Sequence, residues 1–255
     1  MSLSGTGFDH LRMKINRAHK HLKELDAAYV AHCTQPYASI THHDDRVNQR
    51  YIIRVEMRPL IEDIPLALGD TIYALRSGLD QLAWQLALLT TRKPSRDTMF
   101  PIFSEDTPRN QELIRKRVWD LPCEAVSIIK DLQPYKRGAA YRDDPLWQLN
   151  EMSNIDKHRI PAGRSNNAEV FAVPLGWVES RFDNYFEISW PLSLKDSVVF
   201  EPKPSELVFG DAIANDTEDT IPLELTRSDL AEIYRYVRED VAPRFMRFFP
   251  GAINP

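Results

Sequence analysis

The segment from Ile64 to Thr90 constrains the fold most, because its spacing predicts one long helix with two different faces. At about 100° per residue, apolar residues recur every three or four positions and form one stripe. That stripe comprises Leu68, Ile72, Leu75, Leu79, Leu82, Leu86 and Leu89. The opposite face carries Asp70, Tyr73, Arg76, Ser77, Asp80, Gln81 and Trp84. A solvated face needs no Trp or Tyr, so we expect this second face to be buried or to line a cleft.

Arg76 and Asp80 stand one turn apart on this second face and, if buried, need partners. They could hold an anionic ligand and orient a partner group. The alternative, which we favour, is a structural pair that docks residues 156–159 onto the long helix, since buried ion networks also serve packing.

Bulk properties limit the class of protein. The chain has 255 residues, enough for one domain or a domain with a subdomain. Its net charge of −5 argues against a general nucleic-acid coat but allows a local basic patch. Cys33 and Cys123 have neither disulfide-framework nor metal-site spacing, so we expect no metal and no cofactor. The N-terminus lacks the apolar core of a signal peptide, and we expect a soluble cytoplasmic protein without a membrane partner.

The order of elements predicts an α+β fold, with a helical bundle around the long helix packed beside a C-terminal antiparallel sheet. The predicted bundle helices span 8–32, 64–90, 145–157 and 228–249, with shorter helices at 107–119 and 121–132. Period-two segments predict the sheet over 170–209, which a strand at 49–58 could join. We expect a mainly helical part, 1–165, and a sheet with a final helix, 166–255, in one compact unit.

The first helix has its own apolar seam. Phe8, Leu11, Ile15, Ala18, Leu22, Leu25 and Tyr29 step by three and four residues without a break. The simplest prediction is an intramolecular pair with the 64–90 helix. The alternative is a coiled-coil homodimer.

Several strings occur in an order that resembles a broad family of bacterial and phage proteins with no established activity. They are GDTIYALRSGLDQLAWQLA, FPIF, LQPY and PLWQLNEMSNIDKHR, within roughly residues 45–165. The family pattern on the long helix is Gly-Asp, two residues, His-Asn-Leu-Arg, two residues, then Leu-Asp-His, with Asp-Lys-His-Arg downstream. Here Tyr73 and Gln81 replace the two histidines, and Ala74 replaces the asparagine. The resemblance implies a fold and no activity, and any role of those histidines is absent from this chain.

A second, weaker resemblance is to the HEPN ribonucleases, which are small helical bundles. Their motif is an arginine, a polar residue, a few residues and a histidine. Residues 76–81 have that shape, but Gln81 takes the histidine position and cannot act as a general base near neutral pH.

These observations predict a polar centre where the long helix meets the Asp-Lys-His-Arg string. Asn150 and Asn154 could extend it along the preceding helix or satisfy backbone groups at the end of that helix. The candidate site residues are Asp70, Tyr73, Arg76, Asp80, Gln81, Asn154, Asp156, Lys157, His158 and Arg159.

Two functions remain as hypotheses. The first is a binding or regulatory protein whose polar centre is structural or holds a small polar ligand or a protein partner. The alternative is a diverged HEPN-like ribonuclease of a defence or toxin system, although the net charge does not indicate a nucleic-acid partner. Exposure discriminates between them, because an enzyme needs these groups to converge on an open cleft.

Overall fold

The structure, a computed structural model, consists mainly of helices around one apolar core. It describes the backbone of residues 7–34, 38–45, 50–57, 61–158, 162–165, 178–182, 185–189, 207–210 and 224–251, and side chains for 7–32, 34, 61–156 and 227–251. The first five helices are α1 (Gly7–Cys33), α2 (Asp63–Ala87), α3 (Pro108–Arg117), α4 (Cys123–Asp131) and α5 (Pro145–His158). The C-terminal ones are α6 (Arg227–Arg235), a π-helical turn (Tyr236–Val241), α7 (Ala242–Phe245) and a 3₁₀ turn (Met246–Phe248).

The α1–α2 pair forms the centre of the core. The α1 seam is buried at Phe8, Leu11 and Ile15 and packs along the leucine stripe of α2. The two helices come close at Gly78, where an added Cβ would lie 3.0 Å from Lys14 Cβ. The intramolecular pair is thereby confirmed, and the α1 seam is not available for a coiled-coil dimer.

Two helices begin at a residue whose side chain caps the first turn. Thr107 caps α3, since its Oγ1 accepts a hydrogen bond from Asn110 N at 3.2 Å. Asp144 does the same for α5, accepting from Leu146 N at 2.9 Å. Helix α2 has no such cap, and Asp63 is its first residue. The cap position is Glu62, whose side chain makes no capping bond.

The C-terminal helix changes its winding near Pro243. Proline has no backbone N–H and clashes with the carbonyl four residues earlier, so the regular α-helical ladder cannot continue through it. The chain widens to the π-helical turn before Pro243 and tightens to a 3₁₀ turn after Phe245. Phe245 and Phe249 nevertheless reach the core, where they contact Phe100 and Phe8 respectively.

Two regions with a loop-like composition contain regular structure in their described residues. The segment 133–144 contains 3₁₀ turns over Pro134–Asp143, broken at Gly138, which has a φ of 58°. The segment 34–48 contains the strand β1 (Ala38–Asp45). In both places turn-type residues suggested a loop, because composition does not reveal short-range helical turns or a distant pairing partner.

Short strands occur in segments of which only the backbone is described. They are β1, β2 (Arg50–Met57), β3 (Ala162–Ser165), β4 (Val178–Phe182), β5 (Tyr185–Ser189), β6 (Leu207–Gly210) and β7 (Glu224–Thr226). One antiparallel sheet has the order β1-β2-β5-β4, in which Tyr51 lies opposite Ile188. A second has the order β3-β6-β7.

The predicted α+β class, with a C-terminal antiparallel sheet over 170–209, is wrong. Of the residues whose side chains are described, 77% are helical and none lies in a strand. The four-stranded arrangement takes β1 and β2 from before α2, so it is not a C-terminal sheet. Of the predicted sheet, 170–177 and 190–206 lie outside the described residues. An alternating pattern indicates an extended segment, but not its partner or whether it builds the core.

Within the described residues, no helix has the length and apolar character needed to cross a membrane. The predicted boundary near residue 165 stays a prediction.

Candidate functional site

Arg76 and Asp80 form a clamp on the backbone of Phe100. The guanidinium Nη1 of Arg76 donates to Asp80 Oδ1 at 2.7 Å, and its Nη2 donates to the Phe100 carbonyl at 3.0 Å. Asp80 Oδ1 also accepts a hydrogen bond from Phe100 N at 3.0 Å. Because Arg76 is 9% exposed, its charge is held by these partners rather than by water. We call this arrangement the Phe100 clamp.

The Phe100 clamp is half of a larger attachment. Residues 99–103, which we call the strap, are an irregular segment between α2 and α3 in the chain. At the other end of the strap, Gln133 donates from Nε2 to Pro101 O at 2.8 Å and accepts from Phe103 N at 3.1 Å. Gln133 is 1% exposed and also donates to Ile129 O. Three side chains, Arg76 and Asp80 of α2 and Gln133 just after α4, therefore satisfy buried backbone groups of the strap.

The strings that carry the family resemblance meet at this attachment. Arg76 and Asp80 come from the long-helix string, Phe100 from FPIF and Gln133 from LQPY. We favoured a structural pair that docks residues 156–159, but the partner that the structure describes for Arg76 and Asp80 is the strap. Of the Asp-Lys-His-Arg string, only the side chain of Asp156 is described, and it contacts α2 at Gly69. An added Cβ at Gly69 would lie 2.7 Å from the Asp156 carboxylate Oδ1.

Most of the second face of α2 is open to solvent. Tyr73 is 61% exposed with Lys14 Nζ 5.0 Å from its ring centroid, and Gln81 and Trp84 are also exposed. Asp70 is exposed and lies 3.8 Å from His21 Nδ1. Among the predicted residues of this face, Arg76 is the one with a buried side chain. The buried polar centre on this face therefore contains fewer of the predicted residues than expected.

A polar pocket adjoins the clamp on its solvent side. Its cavity volume is about 350 Å³. We call it the arginine pocket. It is lined by Arg76, Met99, Ile102, Phe103, Ser104, Arg117, Trp147, Asn150, Glu151 and Asn154. The pocket joins the end of α3, the strap and one face of α5, where residues 147, 150, 151 and 154 recur at helical spacing.

Arg117 adds a second cation to this pocket. Its guanidinium lies 5.0 Å from the Phe103 ring centroid, and no ion pair joins it to a described carboxylate. Burial is the main cause that lowers the pKa of Arg117, and the neighbouring charge of Arg76 lowers it further. Asp80 and Asp97 act in the opposite direction. An anion in the pocket would relieve the repulsion between the two guanidinium groups.

The sequence-predicted residues divide into four groups. Arg76 and Asn154 line the arginine pocket, and Asp80 anchors Arg76 beside it. Asp70, Tyr73 and Gln81 lie on the exposed face of α2, and half-buried Asp156 lies against Gly69. The backbone of Lys157 and His158 completes α5. Arg159 lies outside the described residues.

Sequence reasoning missed Arg117 and Gln133. Arg117 ends the Arg-Lys-Arg run of α3, a pattern typical of a solvated helix terminus. Gln133 follows the end of α4 and precedes Pro134, which indicated a loop. The one usable signal was the LQPY string itself, because it belongs to the set that carries the resemblance.

A histidine outside the pocket also has an acidic partner. His21 is 5% exposed, and its Nδ1 lies 2.7 Å from Glu24 Oε2. This hydrogen bond is the main cause that lowers the pKa of Glu24. No group of three or more His, Cys, Asp or Glu among the described residues has a geometry that could hold a metal ion.

Comparison with known proteins adds no relative. No protein-family model matches this chain, and neither a curated protein nor a solved structure is significantly similar to it. The two family resemblances therefore stay predictions.

Proposed function

We propose that this is a binding or regulatory protein that takes a small anionic ligand in the arginine pocket. The observation that carries the proposal is that Arg76 and Arg117 line the same pocket. Asp80 already partners Arg76, whereas Arg117 has no described carboxylate in an ion pair. Because Arg117 has no ion pair with a described carboxylate, the two guanidinium groups favour an anion between them.

The neutral groups of the pocket support the same class of ligand. Asn150 and Asn154 bring amide donors from α5, and Ser104 brings a hydroxyl. Such groups can complete the hydrogen bonding of an oxyanion that two arginines hold. The Phe100 clamp fixes Arg76 before any ligand arrives, so the ordering of this side chain costs little on binding.

The alternative of a HEPN-like ribonuclease is less well supported. It needs Arg76, Asp80 and His158 to converge on an open cleft, but Arg76 and Asp80 are engaged with Phe100. Gln81, at the histidine position of the motif, is exposed on another side of α2. Among the described residues, the candidates for a general base beside Arg76 and Arg117 are the carboxylates of Asp80 and Glu151, and none is a histidine.

The test is the thermal stability of the full chain in sodium phosphate against sodium chloride at equal ionic strength. A ligand that binds the folded state raises the melting temperature by mass action. We expect phosphate to raise it in the wild type and in Arg115→Gln, and to have no specific effect in Arg117→Gln.

Arg115 is a matched control, because it lies on α3, pairs with Glu112 at 2.6 Å and lies outside the arginine pocket. Equal responses of the wild type and Arg117→Gln to phosphate would overturn the proposal.

A further inference from the structure

The arginine pocket is larger and more varied than an inorganic anion requires. Its volume of about 350 Å³ lies near the lower end of the range for small-molecule sites, about 300–1,000 Å³. One water takes up about 30 Å³ in the liquid, so a phosphate ion would leave most of this cavity empty. The lining beyond the two arginines must therefore be explained by another part of the ligand.

We propose that the ligand is a mononucleotide, with its phosphate on Arg76 and Arg117 and its base against Trp147. This inference rests on the proposed function, because it assigns the anion that the arginine pocket binds. Three parts of the pocket, each of different chemistry, support it.

The cationic part suits a phosphate ester. A guanidinium presents a planar fork of donors that fits two phosphate oxygens at once. Arg76 has five N–H groups and gives one to Asp80 and one to Phe100, so donors remain for a ligand.

The aromatic part offers a surface for a base. Trp147 lies on the first turn of α5 and is half-buried, and its ring meets Tyr141 edge to face at 5.5 Å and 83°. This contact holds the indole in one orientation. Stacking on an aromatic side chain accepts any base, because every base has a π-face.

The third part can bind the polar edge of a base. Asn150, Glu151 and Asn154 follow Trp147 along α5 and bring amide donors, amide acceptors and a carboxylate to one wall. Amides form paired hydrogen bonds with base edges, and a carboxylate accepts from exocyclic amino groups. The negative charge of Glu151 also disfavours additional phosphates, so a monophosphate fits better than a triphosphate.

The experiment is calorimetric titration of the full chain with AMP, GMP, CMP and UMP, and with ribose 5-phosphate and inorganic phosphate. We expect at least one nucleotide to bind about ten-fold tighter than ribose 5-phosphate, the increment of one base stacked on an aromatic ring. Trp147→Leu should remove that difference. Arg117→Gln should weaken both the nucleotide and the phosphate.

Two further variants guard against a folding defect. Trp147→Phe keeps an aromatic face and should retain most of the difference between nucleotide and sugar phosphate. Trp119→Leu is the matched control, because Trp119 is 70% exposed and lines a separate groove between α3 and α4.

The outcomes separate the two proposals. If phosphate and ribose 5-phosphate bind as tightly as every nucleotide, and Arg117→Gln abolishes this binding, the nucleotide inference fails and the anion site stands. If none of the six compounds binds the wild type, both proposals fail.

Discussion

Arg76 and Asp80 are bound to each other and to opposite backbone groups of one residue, Phe100. Arg76 donates a hydrogen bond to the Phe100 carbonyl, and Asp80 accepts one from the Phe100 N–H. Arg76 Nη1 lies 2.7 Å from Asp80 Oδ1. The pair therefore satisfies both backbone hydrogen-bonding groups of Phe100. The same guanidinium lines the arginine pocket, so the attachment of the strap and the candidate ligand site share one side chain.

Removing the cation of this pair should weaken the fold. Arg76→Met keeps most of the side-chain volume but leaves the Phe100 carbonyl and the Asp80 carboxylate without this donor. We expect the free energy of unfolding to fall by about 2–3 kcal/mol, measured by urea denaturation. Arg115→Met removes an exposed ion pair and should leave the denaturation midpoint unchanged. Equal midpoints for Arg76→Met and the wild type would show that the clamp contributes nothing to stability.

The other end of the strap should be equally sensitive. Gln133→Leu leaves Phe103 N and Pro101 O without their side-chain partners in a buried position. We expect a loss of about 2 kcal/mol in the free energy of unfolding. The comparison variant is Gln148→Leu, since Gln148 makes an exposed bond to Arg142 O. A loss no greater than that of Gln148→Leu would contradict the role given to Gln133.

Two glycines of α2 should respond differently to the same change. Alanine is favoured over glycine inside a helix by about 1 kcal/mol. At Gly69 the new methyl meets the end of the Asp156 side chain, which can rotate without moving a helix, so Gly69→Ala should cost less stability than Gly78→Ala. At Gly78 it meets Lys14 Cβ, which cannot move without α1, so Gly78→Ala should destabilise. Thermal denaturation of both variants checks the order, and a higher melting temperature for Gly78→Ala than for Gly69→Ala would contradict this account of the helix pair.

The His21–Glu24 contact predicts a pH effect in the acid range. The pKa of Glu24 is lowered mainly by its hydrogen bond to His21, so the folded state favours the carboxylate. The contribution of Glu24 to stability is therefore present above the pKa of the unfolded chain. It is lost as the pH falls through the lowered value. A carbon-detected NMR titration should show the Glu24 pKa rising toward its ordinary value in His21→Leu, and an unchanged Glu24 titration would refute the assignment.

Local patterns predicted most of the helical part. The helices at 8–32, 64–90, 107–119 and 145–157 were placed within a few residues, because apolar spacing and the caps at Thr107 and Asp144 are local features. The predicted C-terminal sheet was wrong, although the strand expected at 49–58 does pair with a later strand, with Tyr51 opposite Ile188. The choice of partner strands and their register involves residues far apart in the chain, so local patterns do not determine it.

The candidate site was also predicted only in part, because local patterns identify single residues but not their distant partners. Arg76 and Asp80 stood out as charges on an apolar helix, and Asn154 followed from the spacing along α5. Phe100, the residue that the clamp holds, is 24 residues from Arg76. It lies in a segment without polar side chains, so nothing in the sequence indicated the contact. Arg117 looked like any basic residue at a helix end, because exposure is a property of the folded chain.

The strap has a consequence for self-association. A short extended run of apolar residues is the kind of segment through which chains pair edge to edge into aggregates. In this protein Pro101 offers no N–H to a neighbour, and side chains already occupy the backbone groups of Phe100 and Phe103. The backbone groups through which this apolar segment could pair with a second molecule are therefore largely occupied within the folded chain.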